Sequence, residues 1–338
     1  MERRSYGVII LNYNTSDDCK KAVKSIKDCA TTDDYMICVV DGGSSKEGEA
    51  DAIRALSEND DHVISLILAD NKGYAFGNDE GFRAIKAHCN TEYTVIMNPD
   101  VIVNTKGTIE GIISGIEAAN KAGSDKGTTG NEVESGNDSY AGDSTQGRIA
   151  GGQPLVATVG AQKPANEQIN IRTAFSYKDF LISNFWLTRR THKKAFEAMT
   201  YVKERPYKGH IEYEVPYGAF FVIKSDIFEK VGLFDPETFL YAEEFILGYK
   251  IKQLGKCFLL FSEYTVDHYQ GKASGSHGGM SLRTLKNTMD AVGVYMRKYL
   301  KVSPTGIRWY RCVCYINRYT EWIEHLAVGI VKALRGSR

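Results

Sequence analysis

The chain has 338 residues, 43% of them hydrophobic and 25% charged, the balance of a soluble globular protein large enough for one large α/β domain or two ordinary ones. That composition excludes a disordered chain and a small stapled scaffold, and no run reaches the ~18 uninterrupted apolar residues of a spanning helix. The formal net charge is zero but uneven: from Ser281 onward 11 Lys and Arg face 3 acids, a balance of +8, which leaves −8 on the preceding chain.

Seven cysteines, Cys19, Cys29, Cys38, Cys89, Cys257, Cys312 and Cys314, form an odd, scattered set that reads as reduced thiols of a cytosol-like compartment. Cys312 and Cys314 are the one close pair, with no second pair or histidine motif to complete a zinc site. The amino-terminal residues run directly into a short apolar strand without the longer apolar core of a signal peptide, so the expected location is cytoplasmic.

In chain order, Tyr6–Leu11 reads as a strand, followed by a polar helix through Lys27. Met36–Val40 is a second strand with a helix through Ser57, Val63–Leu68 a third with a helix at Gly77–Ala87, and Tyr93–Met97 a fourth. Apolar runs of this length separated by helical stretches predict an α/β fold with a buried, mostly parallel sheet and flanking helices. Functional groups then belong on the loops at the carboxyl ends of the strands. From 120 to 152 the composition turns to Gly, Ser, Thr, Asn and Asp, which predicts a polar, mobile insertion. Regular structure resumes at Leu155–Val159. An aromatic-rich region (Phe175, Tyr177, Phe180, Phe185, Trp186) leads to Val215–Ile223, and Leu233 to Ser274 alternates helix and strand. The tail from Ser281 reads as helical, broken at Pro304-Thr305-Gly306.

The strand ends share a chemistry. They read Leu11-Asn12-Tyr13-Asn14, Val40-Asp41-Gly42-Gly43-Ser44, Asp70-Asn71-Lys72-Gly73-Tyr74 and Asn98-Pro99-Asp100-Val101. Any one Asn or Asp at such a place suits a turn or helix cap, but four together point to a crevice that binds a base and ribose or a metal. A glycine-rich dinucleotide turn is absent after the first strand, and no P-loop occurs, so a nucleotide has to be held by side chains and metal.

The ordered set of Leu11-Asn12-Tyr13-Asn14, Val39–Ser44, Asn71–Asn78, Asn98–Val101, Gly218-Ala219-Phe220, Val231–Asp235, Tyr241-Ala242-Glu243-Glu244 and His268 with Ser274 resembles family 2 of the inverting glycosyltransferases, which has the GT-A fold, particularly its rhamnosyltransferase-like members. The resemblance runs from residue 6 to 275 and implies a GT-A catalytic domain over 1–280 followed by a helical extension over 281–338. It also implies donor contacts from Asn12, Tyr13, Asp41, Asn71, Gly73, Asn98 and Asp100, with Asp41 on a pyrimidine base and Gly73 allowing close backbone approach. Asp100 stands at the Asp-x-Asp signature and would hold a divalent cation, Mn2+ or Mg2+, with His268 as a further ligand. Glu244 occupies the place of the family's catalytic base, usually Asp, and Glu243, Gly218 and Asp235 are supporting or acceptor-side residues. Asp235 also suits a helix cap or a loop brace.

The tail sets Arg and Lys among Tyr295, Tyr299, Trp309, Tyr310, Tyr315, Tyr319 and Trp322, a pattern suited to an anionic membrane surface or to packing on the domain. Nucleic acid is excluded as a partner by the acidic crevice and the absence of a nucleic-acid motif. The expected function is transfer from a UDP- or dTDP-sugar to a saccharide acceptor, lipid-linked by family analogy, in cell-surface polysaccharide assembly on the inner face of the membrane. The alternative is a non-catalytic nucleotide-sugar-binding subunit, suggested by Asn98 and Glu244 where aspartates are usual.

Overall fold

The structure is a computed structural model that describes residues 2–126, 156–162, 168–194, 200–204, 210–269 and 281–336. Strand β1 (Glu2–Asn12) carries a continuous apolar run from Tyr6 to Leu11 because both of its faces are covered there: Tyr6, Val8 and Ile10 enter one core cluster and Ile9 the other. Strands β2 (Tyr35–Asp41), β3 (Val63–Ile67) and β4 (Cys89–Met97) pair in parallel with it in the order β3-β2-β1-β4. The first face is covered by helices α1 (Ser16–Cys29) and α4 (Thr108–Lys126), through Ala22, Ile26, Ile112 and Ile116. Helix α2 (Glu49–Arg54) packs beside β2 and β3.

Helix α3 (Tyr74–His88) lies on the second face and approaches β1 closely, since a side-chain carbon at Gly81 would stand 2.6 Å from Ile9 and one at Gly77 2.5 Å from Leu11. The rest of the sheet adds the short β5 (Val101–Val103), β6 (Val156–Gln162), β9 (His210–Tyr213), β10 (Phe220–Lys224) and β11 (Phe258–His268). Its order continues β4-β10-β6-β11-β5, with β9 also on β11. Strand β10 runs antiparallel to β4, with Phe220 opposite Met97. Strands β1, β2, β3, β4, β6 and β11 therefore point one way, and β5, β9 and β10 the other. Strands β7 (Gln168–Arg172) and β8 (Thr200–Glu204) form a separate ribbon. The expected mostly parallel α/β sheet is present; the short β5 and the paired ribbon were not legible beforehand.

Helix α4 continues through Lys126, so the first residues of the expected 120–152 insertion are helical, and its remainder lies outside the described residues. The helices α5 (Tyr177–Ser183), α6 (Trp186–Thr191), α7 (Ser225–Lys230) and α8 (Glu243–Gln253) precede the tail helices α9 (Leu282–Lys298) and α10 (Pro304–Gly336). A capping box from Ser176 and Asp179 starts α5. Pro304 opens α10, where its missing N–H costs nothing.

Much of the tail packs on the body. Phe180 of α5 lies 5.4 Å from Phe245, 5.9 Å from Tyr295 and 6.0 Å from Tyr310, ring centre to ring centre. Leu285, Met289, Val292, Met296 and Cys314 complete this third cluster with Ala242 and Ile246 of the α8 region. Of the tail aromatics that suited a membrane surface, Tyr295 and Tyr310 are thus core residues. Met296 is fully buried, so Met296→Ala should lower unfolding free energy by about 2–5 kcal/mol. Urea titration checks this; a loss under about 1 kcal/mol would mean that α9 lies outside the cooperative unit.

Candidate active site

The carboxyl ends of β1 and β2 meet in a buried polar web. Asn12 is fully buried and its amide donates to Asp41 Oδ1 at 2.9 Å, with Ser44 Oγ and Glu49 Oε2 each 3.3 Å away. Its carbonyl oxygen accepts from the backbone N–H of Thr15 at 2.9 Å and the Thr15 hydroxyl at 3.0 Å, at the start of α1. Asn12 is therefore a bracket between two strand ends and a helix, with both ends of its amide engaged within the protein. Asp41 sits at the edge of this web, its carboxylate accepting from the Ser44 hydroxyl at 2.5 Å and the Ser44 N–H at 3.2 Å. Tyr13, beside it, is exposed.

Glu49 went unnoticed in the sequence. It is buried and accepts from the Ser16 N–H at 2.8 Å, capping α1 from a distance. Burial works against its charge, but the Ser16 amide, Asn12 and Lys46 outweigh it and hold the carboxyl below its usual range.

The loop after β3 is shaped by glycine. Gly43 has φ 72°, and a side-chain carbon there would lie 2.5 Å from the Asp70 backbone. Asn71 Oδ1 accepts from the Gly73 N–H at 2.9 Å, closing a turn. Gly73 has φ 95°, and the space a side chain would need is filled by the Phe239 backbone, whose oxygen would be 2.2 Å away. The absence of a side chain at Gly73 thus lets the 239 loop approach its backbone. The next N–H, of Tyr74, donates to the Phe239 carbonyl at 2.7 Å, and the Tyr74 hydroxyl donates to the Gly218 carbonyl at 2.8 Å.

After β4 the backbone of Asn98 donates to Ala219 at 2.8 Å, tying this loop to the start of β10. The pairing of β5 with β11 sets Val101 opposite His268. Asp100 and His268 are thereby brought together, both buried, with Asp100 Oδ1 3.2 Å from His268 Nε2. The two atoms are close but not aligned as donor and acceptor, and Asp100 Oδ1 has no hydrogen-bond partner. His268 Nδ1 lies 3.1 Å from the Tyr217 hydroxyl, which fixes the ring from behind. A buried carboxylate oxygen without a partner, facing an oriented imidazole, fits a divalent cation. Among the described residues no third His, Cys, Asp or Glu joins them, so the rest of a coordination shell would come from ligand and water.

The two acids open α8 and occupy different surroundings. Tyr241 (φ 77°) and Ala242 (φ 62°) are both left-handed, a backbone cost of about 1–3 kcal/mol each for residues other than glycine. This turn places Glu243 in the interior, 3% exposed, with Oε2 unpartnered. Glu244 is half-buried and lies against Gly218, where any side-chain carbon would stand 2.0 Å from Glu244 Oε1. Gly218 therefore makes room for that carboxylate.

Asp235 caps no helix; it braces the loop that precedes these acids. It is 2% exposed and accepts from Tyr299 at 2.7 Å, Lys298 at 2.8 Å and the Glu237 N–H at 3.0 Å. Burial opposes its charge, but these donors, led by Lys298, hold its carboxyl below the usual range. Lys298 also reaches Glu237 at 2.8 Å, so the end of α9 grips the 235–239 turn whose Phe239 seats Gly73. No sequence signal marked Lys298, Tyr217 or Phe239 for these parts.

Burial, and then the charge of Glu244, push the Glu243 carboxyl up to about 8. An unfolded Glu releases its proton near 4.3, so between about 4.3 and the raised folded value the native state keeps a proton the unfolded chain has lost. Stability must fall as pH rises through that window. Glu243→Gln, which never ionises, should match the parent below about pH 4 and melt higher above about pH 8. Melting temperatures across pH check this; equal differences at both ends would show that Glu243 is not held neutral.

The chain matches the family described as Glycosyl transferase family 2 over residues 7–194, more than half its length. Among solved structures it is similar to GalNAc-T7 with UDP, GalNAc and Mn2+, with a TM-score of 0.53 and 15% identity over 88% of this chain and 49% of that one. It thus spans about half the length of that protein. It is also similar to the mannosyltransferase PcManGT from Pyrobaculum calidifontis in complex with GDP-Man and Mn2+, with a TM-score of 0.51 and 13% identity over 99% of this chain and 81% of that one. The comparison with curated proteins finds no match. With the parallel strand ends, their Asn and Asp loops and the GT-A likeness in agreement, the match over residues 7–194 shows that the chain belongs to glycosyl transferase family 2.

Proposed function

We propose that the protein is an inverting glycosyltransferase that moves a sugar from a UDP- or dTDP-sugar to a hydroxyl of a saccharide acceptor. The observation that carries the reading is that Tyr217 reaches His268, which lies against Asp100, while the next residue, Gly218, lies against the Glu244 carboxylate. The UDP held by GalNAc-T7, the GDP-Man held by PcManGT and the Mn2+ in both support a nucleotide-sugar donor. The acceptor is a lipid-linked saccharide and the process cell-surface polysaccharide assembly at the inner face of the membrane, on family grounds.

In this reading Asp41 and Tyr13 receive the pyrimidine base, and Asn71 and Asn98 line the donor side. A divalent cation held by Asp100 and His268, Mn2+ or Mg2+, would neutralise charge on the leaving diphosphate. Glu244 takes the proton of the acceptor hydroxyl as its oxygen bonds to the anomeric carbon and the bond from that carbon to the diphosphate oxygen breaks. Glu243, buried and holding its proton, adds no second negative charge beside Glu244 at the helix start.

Asp100→Ala should weaken manganese-dependent UDP binding at least about tenfold without changing the melting temperature, since the residue stands at a strand end. Calorimetry checks it, and parental affinity would remove Asp100 from the metal site. Glu244→Gln should lower turnover by about 10²–10⁴ with donor affinity retained, while Glu243→Gln keeps substantially more activity. A dead Glu243→Gln beside an active Glu244→Gln would move the base by one residue, and no donor turnover by the parent would favour a non-catalytic binding subunit.

A further inference from the structure

Helix α10 carries its apolar face away from the body. Its inward side holds Tyr310 and Cys314, both buried. On the outward side Trp309 is 56% exposed, Tyr315 53%, Ile316 47%, Tyr319 63% and Ile323 48%. At 100° per residue Trp309, Cys312, Ile316, Tyr319 and Ile323 fall on one stripe, and the sequence continues the same spacing with Leu326, Ile330 and Ala333. The stripe extends onto α9, where exposed Leu282 joins Tyr315, Ile316 and Tyr319 in lining an open groove of ~620 Å3. Patches of this kind are uncommon on a surface that faces only water.

Charge decides between two occupants. A helical partner wound on this stripe would be registered by charged residues beside the seam, yet those positions are Val313, Tyr315, Thr320 and Trp322. Arginines line the apolar arc: Arg308 falls on it, and Arg318 and Arg311, the latter paired with Asp290 of α9 at 2.8 Å, border one flank, whereas of the acids Glu321 falls on the opposite side of the helix and Glu324 on the other flank. Apolar residues bordered by aromatic rings and cations match the layers of an anionic bilayer interface. No helix among the described residues is long and apolar enough to cross a membrane.

We propose that α10 is an in-plane anchor: its outward face from Trp309 to Ile323, with the Leu282 groove, enters the interface of an anionic lipid bilayer and holds the body at the membrane. Of α9 only Leu282 joins the anchor, since Leu285, Met289, Val292 and Met296 are committed to the core. The proposal rests on the transfer reading only in placing the acceptor in the same membrane, and lipid binding is measured without substrate.

The test is co-sedimentation of the full chain with vesicles of phosphatidylcholine, with and without phosphatidylglycerol. The parent should bind the anionic vesicles and release them as salt is raised. The double variant Ile316→Glu, Ile323→Glu should bind at least about tenfold more weakly while keeping the parental melting temperature and donor hydrolysis. Undiminished binding by the variant overturns the proposal, as does absence of parental binding. A parental dimer that the variant converts to monomer, without vesicle binding, assigns the face to a second copy of the chain. Donor hydrolysis in the same preparation separates the failures: protein that binds vesicles but never turns over donor sinks the transfer reading and leaves the anchor standing.

Discussion

The pairing of Met97 with Phe220 is the constraint on which the site depends. It reverses the chain direction where the parallel half of the sheet ends, so that the start of β10 lies beside the end of β4. The residues just before Phe220 are thereby delivered to the edge where the parallel strands finish. Tyr217 reaches His268, Ala219 accepts from Asn98, and Gly218 meets both the Tyr74 hydroxyl and Glu244. A slip of one residue would turn every side chain of β10 to the other face and displace the Tyr217, Gly218 and Ala219 contacts, so a register held by buried β-strand packing fixes the chemistry above it.

The acids stand on a less relaxed foundation. Two consecutive left-handed residues, Tyr241 and Ala242, precede Glu243, and such a turn persists only where its surroundings over-determine it. Ala242, Phe245 and Ile246 supply part of that constraint by burial against α5 and α9. Lys298 and Tyr299 supply another part through Asp235, and the Phe239 carbonyl is held by Tyr74. The tail is therefore bound up with the geometry of the acids as well as with whatever surface α10 meets.

The sequence disclosed the sheet better than the site. Strands β1 to β4 could be read because burial on both faces leaves continuous apolar runs, and Gly73 and Asp41 announced turns by residue type alone. The use to which those residues are put was hidden. Asn12 looks like a ligand-binding side chain and spends its amide on Asp41 and Thr15, because the partners that engage it come from other segments. Gly73 announces a close approach without saying that Phe239, far along the chain, makes it. The strained turn at Tyr241-Ala242 carries neither Gly nor Asn and gave no local sign. In the tail, aromatic residues of one composition divide by helical phase: Tyr310 enters the core while Trp309 and Tyr319 face outward. Composition records the residues, and only the phase of packing sorts them.

The central claim is that Asp100 and His268, contributed by segments far apart in sequence, form one cation site at the edge of the sheet where Glu244 waits for the acceptor. A crystal structure of the protein grown with UDP and manganese, with data collected at the manganese absorption edge, tests it most directly. The account predicts an anomalous peak within bonding distance of Asp100 Oδ1 and His268 Nε2, with the diphosphate bound to it and the uracil beside Asp41. A peak away from both side chains, or UDP bound with its base far from Asp41, would contradict it.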